Sequence, residues 1–285
     1  MRASARPATG TRATRRRRVL ATAVLAASAL LLSGCATAAD GTAGPAAGGS
    51  PGAGHTSAAL SGDLTIFAAA SLTDAFTELA TRFGEKHLGV TVKPVEYDGS
   101  STLATQLIEG AHADVFASAD QTNIDKVGDA GLLEGSPRAF TSNVLEIAVA
   151  PGNPHHITGL ADLASSGLKV VLCAPEVPCG SAARTLLDAD HVTVKPASDE
   201  QNVTAVLTKV GLGEADAGLV YVTDVTAAKG RVDGVPIPDA AKATNRYGIG
   251  VPKAAENPAA GRAFVAFVLS KHGQAVLARY GFGSP

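Results

Sequence analysis

From residue 64 to the C-terminus the chain alternates short apolar runs with segments of helical periodicity, and that alternation narrows the fold more than any other feature. Residues 64–68 form a β run. Ser71-Leu72-Thr73-Asp74 reads as a helix start, and Phe76, Leu79, Ala80 and Phe83 then recur at i, i+3, i+4 and i+7. A strand over 90–96 follows, then a helix opened by Ser100 or Ser101 and carrying Leu103, Leu107 and Ile108. Strand 115–117, a helix capped by Asp120 and strand 144–149 complete a βαβαβα order. Such an order predicts a mostly parallel sheet with helices on both faces. A second set repeats it: strand 168–172, helix 180–188, helix 202–210 and strands 217–221, 235–237 and 247–251. Helices over 258–270 and 273–280 close the chain. Two comparable units predict an α/β protein of two lobes with a ligand cleft between them. Crossings near 144–149 and 247–251 assign residues 63–145 plus 250–285 to lobe 1 and 146–249 to lobe 2. Trp is absent and aromatics make up 4% of the chain, so the core is expected to be mostly Ala, Val and Leu.

The N-terminus has a different character. Arg15 to Arg18 precede an apolar stretch of 14 residues, 19–32. That is short for a membrane span and suits a signal-peptide core. Leu32-Ser33-Gly34-Cys35 resembles a bacterial lipobox, in which the cysteine is lipidated and becomes the first mature residue. Residues 1–34 are then a lipoprotein signal peptide, and Cys35 anchors the protein on the outer side of the cytoplasmic membrane. An ordinary secretory signal with an incidental cysteine is the alternative. Residues 35–62 hold Ala, Gly, Ser, Thr and Pro with almost no large apolar group, and read as a flexible tether.

Seven of the 24 Lys and Arg residues precede Cys35, and none of the 26 Asp and Glu do, which leaves 17 basic against 26 acidic residues, a formal charge of −9. Such a balance argues against nucleic acid as a partner, because phosphate neutralisation needs clustered cations. Cys173 and Cys179 stand close together in an exported chain and most simply form a disulfide, with two free thiols as the alternative. Zinc is not expected, since no second cysteine pair exists and the histidines lack ligand spacing.

Several strand-to-helix turns place a small or hydroxyl residue at a helix N-terminus: Ser71, Ser100 with Ser101, Cys179-Gly180-Ser181 and Asn202-Val203-Thr204. First-turn N–H groups are unpaired and carry partial positive charge, so they bind anions. Taken singly, each such serine is an ordinary cap. Together they outline an anion site at the carboxyl ends of strands, where open α/β sheets hold ligands. No Arg or Lys lies in these turns, so dipoles and hydroxyls would hold the anion. Asp98 is near enough to Ser100 to keep a protonated ligand in view.

Phe67-Ala68-Ala69-Ala70-Ser71-Leu72-Thr73, Gly99-Ser100-Ser101-Thr102-Leu103, Ala113 to Asp120, Val177-Pro178-Cys179-Gly180, Gly218 to Tyr221 and Arg279-Tyr280-Gly281-Phe282 together resemble the periplasmic molybdate-binding proteins of ABC importers. The resemblance runs from about residue 64 to 282. It implies a two-lobed type II periplasmic-binding-protein fold that closes on molybdate or tungstate, without enzymatic activity or cofactor. A monomer that delivers its ligand to ABC permease subunits is the implied working form. Carried over by position, Ser71 and Ser100 are donors from the first lobe through hydroxyl and backbone N–H. Cys179, where the family often has Ala, and Val203 contribute backbone N–H groups from the second lobe, and Tyr221 contributes its phenol. These groups would hold the oxyanion, with no direct metal-ion ligand. Cys173–Cys179 departs from the plainest family pattern, and as a disulfide it would fix the Cys179 amide before ligand arrives.

Three rival readings differ in testable ways. The same fold could hold sulfate, phosphate or another small oxyanion. An exported serine hydrolase could use Ser71 or Ser100 as nucleophile, but His87, His112, His191 and His272 sit in no recognisable catalytic motif. A lipid-anchored adhesion or scaffold protein would show no saturable binding of a small ligand.

Overall fold

A computed structural model of the protein describes residues 59–285. The expected signal peptide, Cys35 and nearly all of the tether lie outside the described residues. The chain enters the fold with β1 (Gly62–Leu64). It continues through β2 (Ile66–Ala69), a 3-10 turn at Ala70–Leu72, α1 (Thr73–Lys86), β3 (Val90–Val92) and β4 (Glu96–Asp98). Next come α2 (Ser100–Ile108), β5 (Val115–Ser118), α3 (Gln121–Asp129), β6 (Arg138–Asn143) and β7 (Leu145–Val149). Then follow β8 (Val170–Cys173), α4 (Pro178–Ala189), β9 (Ser198–Glu200), α5 (Val203–Gly211), β10 (Ala217–Tyr221) and α6 (Val222–Ala228). The last elements are β11 (Asp233–Pro236), β12 (Asn245–Gly250), α7 (Pro258–Leu269) and α8 (Lys271–Arg279).

Two five-stranded sheets form two lobes, in the orders β4-β2-β5-β12-β6 and β11-β7-β10-β8-β9. Each is flanked by helices, as an α/β protein with two lobes requires. Neither sheet is mostly parallel. In the first, β2 pairs in parallel with β4 and β5, whereas β12 is antiparallel to β5 and β6. In the second, β8 is parallel to β9 and β10, whereas β7 is antiparallel to β10 and β11. The antiparallel members are the strands beside the crossings, where the chain leaves one lobe and later returns.

The first crossing falls between Asn143 and Leu145, close to its expected place. The second falls earlier than residue 250. Asn245 to Ile249 pair along β6, so β12 belongs entirely to lobe 1. The expected strand over 90–96 is split at Pro94, which has no N–H to give to a ladder. Its first part, β3, pairs with β1 instead of the main sheet, so Gly62, expected to end the tether, is already part of the fold.

The two cores differ in kind. The lobe 2 core is Ala, Val, Leu and Ile with Cys173, Cys179 and Tyr221, its single buried aromatic side chain. Every one of the eight Phe lies in lobe 1, where Phe76, Phe83 and Phe264 stack edge-on through centroid distances of 5.3 and 6.0 Å. No helix among the described residues is long and apolar enough to cross a membrane.

Candidate functional site

All five expected ligand-binding residues, Ser71, Ser100, Cys179, Val203 and Tyr221, line one small cavity between the lobes. The room left in it is small, about 10 Å³. Each residue follows the carboxyl end of a strand: Ser71 after β2, Ser100 after β4, Cys179 after β8, Val203 after β9, while Tyr221 ends β10.

Local backbone geometry turns donors toward this space. Ser100 is the first residue of α2, Cys179 the second of α4 behind Pro178, and Val203 the first of α5. Amides in a first turn have no partner within the helix, and each helix adds partial positive charge there. Three α-helical N-termini and the 3-10 turn at Ser71 therefore converge. Neither Arg nor Lys lines the cavity, and no histidine does.

The hydroxyls are not caps. The helix preceded by Gly99 has no side-chain cap, and the 3-10 turn holding Ser71 has none either. Ser100 Oγ accepts the Ala119 backbone N–H at 2.9 Å, which leaves its own proton to be donated. Ser71 Oγ lies 2.8 Å from the Tyr247 phenol oxygen. The Tyr221 phenol oxygen is buried without any hydrogen-bond partner, and desolvation pushes its pKa well above the ordinary value. A buried hydroxyl left unpaired costs about 1–3 kcal/mol, so its presence marks a place where a partner is expected. It stays protonated and can only serve here as a neutral donor.

Two carboxylates at or near the cavity accept from neighbouring groups. Asp98 Oδ1 accepts from the Gly99 N–H at 2.7 Å and from Asn202 Nδ2 at 2.8 Å. Asp120 accepts from Asn123 N at 2.9 Å and Asn123 Nδ2 at 3.0 Å, while burial raises its pKa. The hydroxyls and first-turn amides are the donors of the cavity, and Asp98 is the one carboxylate in its lining.

Contacts across the cleft hold the lobes together around this space. Besides Asn202 to Asp98, Asn123 Nδ2 donates to Glu176 O at 3.2 Å and Asn245 Nδ2 to Pro178 O at 3.4 Å. Gly99 is pressed so closely on the facing lobe that a Cβ there would lie 2.0 Å from Gln201 O. Asn202 and Gly99 stand in turns the sequence marks, whereas Asn123 and Asn245 were not singled out there. Their signal there is slight, since Asn and Gly are common in turns for local reasons.

Cys173 and Cys179 form a disulfide, with Cα atoms 5.7 Å apart, joining the end of β8 to the first turn of α4. Both are buried. Gly180, next in sequence, allows the tight return, since a Cβ there would sit 1.9 Å from Ala174 O.

Comparison with known proteins agrees with this architecture. Residues 64–283 match the family model of the bacterial extracellular solute-binding proteins. Molybdate-binding protein ModA of Mycobacterium tuberculosis is 48% identical over 233 residues, covering 82% of this chain and 88% of the relative. ModA of Escherichia coli is 32% identical, covering 78% of this chain and 89% of the relative. The solved periplasmic molybdate-binding protein of Azotobacter vinelandii superposes with a TM-score of 0.66 at 20% identity, covering 78% of this chain and 99% of that one.

Proposed function

The chain belongs to the bacterial extracellular solute-binding proteins, and from that premise we propose that it captures molybdate, and tungstate with it, for an ABC importer. The observation that carries the ligand is the convergent set of donors between the lobes. Ser100 and Tyr221 each hold a proton with no protein acceptor, beside first-turn amides and without a cation. A fully ionised tetrahedral oxyanion satisfies such a set. Hydrogen phosphate carries a proton that would need an acceptor, and Asp98, the one carboxylate in the lining, already gives Oδ1 to Gly99 and Asn202. Sulfate has the charge and shape of molybdate but shorter bonds, so it leaves some donors unpaired and binds less well.

Capture works by closure. Lobe 1 presents Ser71 and Ser100, and lobe 2 presents Cys179, Val203 and Tyr221. An anion bound to one half recruits the other, which favours the closed arrangement. The closed, loaded protein is the form offered to the permease. No chemistry occurs on the ligand. A serine hydrolase would need a base beside Ser71 or Ser100, and the absence of histidine from the cavity lining weighs against it. Cys35 lipidation would hold this monomer at the outer face of the cytoplasmic membrane.

Isothermal titration of the protein without its first 35 residues tests the reading. One-to-one binding of molybdate that excess sulfate fails to displace is the expected result. Saturable binding of sulfate or phosphate in preference to molybdate would replace the ligand, and no binding of any small oxyanion would discard the reading.

A further inference from the structure

Tyr247 does not line the cavity, yet it governs one of the groups that do. Its ring is fully buried on β12, packed edge-on against Phe140 and Phe282 at centroid distances of 6.0 and 5.7 Å. A buried phenol needs a partner for its hydroxyl, and here the partner is Ser71 Oγ at 2.8 Å.

The direction of that hydrogen bond follows from Asn143. The Val144 N–H donates to Asn143 Oδ1 at 3.0 Å, and an amide N–H can pair only with the oxygen end. The NH2 end of Asn143 therefore faces the other way, donating to Thr223 Oγ1 at 2.8 Å and toward the Tyr247 phenol at 3.5 Å. A phenol oxygen approached by an NH2 group must turn its own proton elsewhere. Ser71 Oγ is the acceptor within reach. Burial raises the Tyr247 pKa, so that proton is retained at any ordinary pH.

We propose that Tyr247 is a positioning residue for oxyanion selection: by donating to Ser71 Oγ it turns the Ser71 proton toward the cavity and occupies one of that hydroxyl's two acceptor positions. A free serine hydroxyl both donates and accepts, and could take a proton from a ligand such as hydrogen phosphate. Tyr247 makes Ser71 a poorer acceptor and a committed donor, as the Ala119 N–H does for Ser100. One oxygen on a lobe 1 strand thereby biases the site toward anions without a proton. The inference rests on the oxyanion-binding reading above.

The test is Tyr247→Phe in the protein lacking its first 35 residues, titrated with molybdate, sulfate and phosphate at pH 7.5, phosphate by competition where it binds weakly. Phe keeps the ring and deletes only the hydroxyl. Molybdate and sulfate, both fully ionised, are expected to weaken together by about three- to tenfold, the scale of one hydrogen bond. Phosphate is expected to weaken less or to strengthen, so that the preference for molybdate over phosphate narrows at least threefold. In a Ser71→Ala background, Tyr247→Phe should change molybdate affinity by no more than about twofold, because the phenol acts through Ser71. Equal weakening of all three anions, an unchanged profile, or full additivity with Ser71→Ala would overturn the inference. Failure of the unaltered protein to bind any of the three sinks the functional reading and this inference with it, whereas normal binding with an unaffected Tyr247→Phe sinks the inference alone.

Discussion

Asn202 Nδ2 reaches across the cleft to Asp98 Oδ1 at 2.8 Å, while its Oδ1 caps α5 by accepting the Ala205 N–H at 2.9 Å. One side chain thus does two things with its two ends. It stabilises the helix start that presents the Val203 amide, and it fastens that start to the turn that presents Ser100. Asn202→Asp separates the two roles. A carboxylate still caps the helix, since Asp is as good an N-cap as Asn. Against Asp98 it exchanges a charge-assisted hydrogen bond for repulsion between like charges. The closed form should be disfavoured by about 1.5–3 kcal/mol, which predicts at least tenfold weaker oxyanion binding with little change in thermal unfolding of the ligand-free protein. Titration calorimetry paired with a melting curve checks both halves; equal losses in each would mean the cap, and not the latch, was damaged.

Much of this arrangement was legible in the chain, and the reason is local. Ser71, Ser100, Cys179 and Val203 sit where a strand gives way to a helix, and turn chemistry together with helix periodicity marks such places. The two-lobed α/β architecture follows from the same alternation. Features set by long-range pairing were hidden. Nothing local tells that β12 runs antiparallel between β5 and β6, so the sheets looked mostly parallel and the second crossing was placed too late. Strands β6 and β9 and helix α6 escaped notice because Arg138–Asn143 and Ser198–Glu200 are largely polar and Val222–Ala228 is short. Tyr247 read only as part of a strand. A tyrosine in a run that otherwise becomes fully buried does need a hydroxyl partner, and that requirement was the available clue.

The disulfide should matter twice, to stability and to affinity. Cys173–Cys179 closes a short loop, which chain entropy values at roughly 2 kcal/mol. Cys173→Ala/Cys179→Ala is therefore expected to lower Tm by ~5 °C in a domain of this size. The backbone N–H of residue 179 survives the change, so its chemistry as a donor is intact. What is lost is the tie that holds it at the end of β8 before the anion arrives. A three- to tenfold loss of molybdate affinity, about 1 kcal/mol, is the expected effect on the scale of one misplaced hydrogen bond. Unchanged affinity beside a lowered Tm would assign the bridge to stability alone.

Asp224 makes stability fall as pH rises toward neutrality. It is buried, and desolvation, aided by the Glu146 and Asp74 carboxylates, raises its pKa to about 7, while the Tyr221 N–H it accepts at 2.9 Å pulls the other way. An unfolded Asp titrates near 3.9. Between about pH 4 and 7 the folded chain therefore holds a proton that the unfolded chain has lost, and stability declines with each step upward in that window. Above pH 7 the decline from this group ends. Asp224→Asn keeps an acceptor for Tyr221 N–H and cannot ionise. The difference in Tm between pH 5 and pH 8 should be smaller in Asp224→Asn than in the unaltered protein, and the variant should be the more stable of the two at pH 8. An identical difference in both proteins would show that another group sets the slope.

Tyr221→Phe should move stability and binding in opposite directions. Its phenol oxygen is buried in the structure with no partner, while its ring belongs to the lobe 2 core and lies 6.1 Å from that of Tyr247. Removing the oxygen keeps the ring and deletes an unsatisfied donor, so the closed protein without ligand loses nothing and gains up to about 1 kcal/mol. With an oxyanion in the cavity the same oxygen would supply a hydrogen bond to a charged acceptor, worth about 1.5–3 kcal/mol and hence at least tenfold in affinity. An ordinary core tyrosine behaves differently: its substitution by Phe lowers stability and leaves binding alone. Melting curves with and without molybdate distinguish the two. The expected signature is an unchanged or raised Tm without ligand together with a smaller ligand-induced rise. A lowered Tm without ligand and an undiminished rise with it would remove Tyr221 from the binding set.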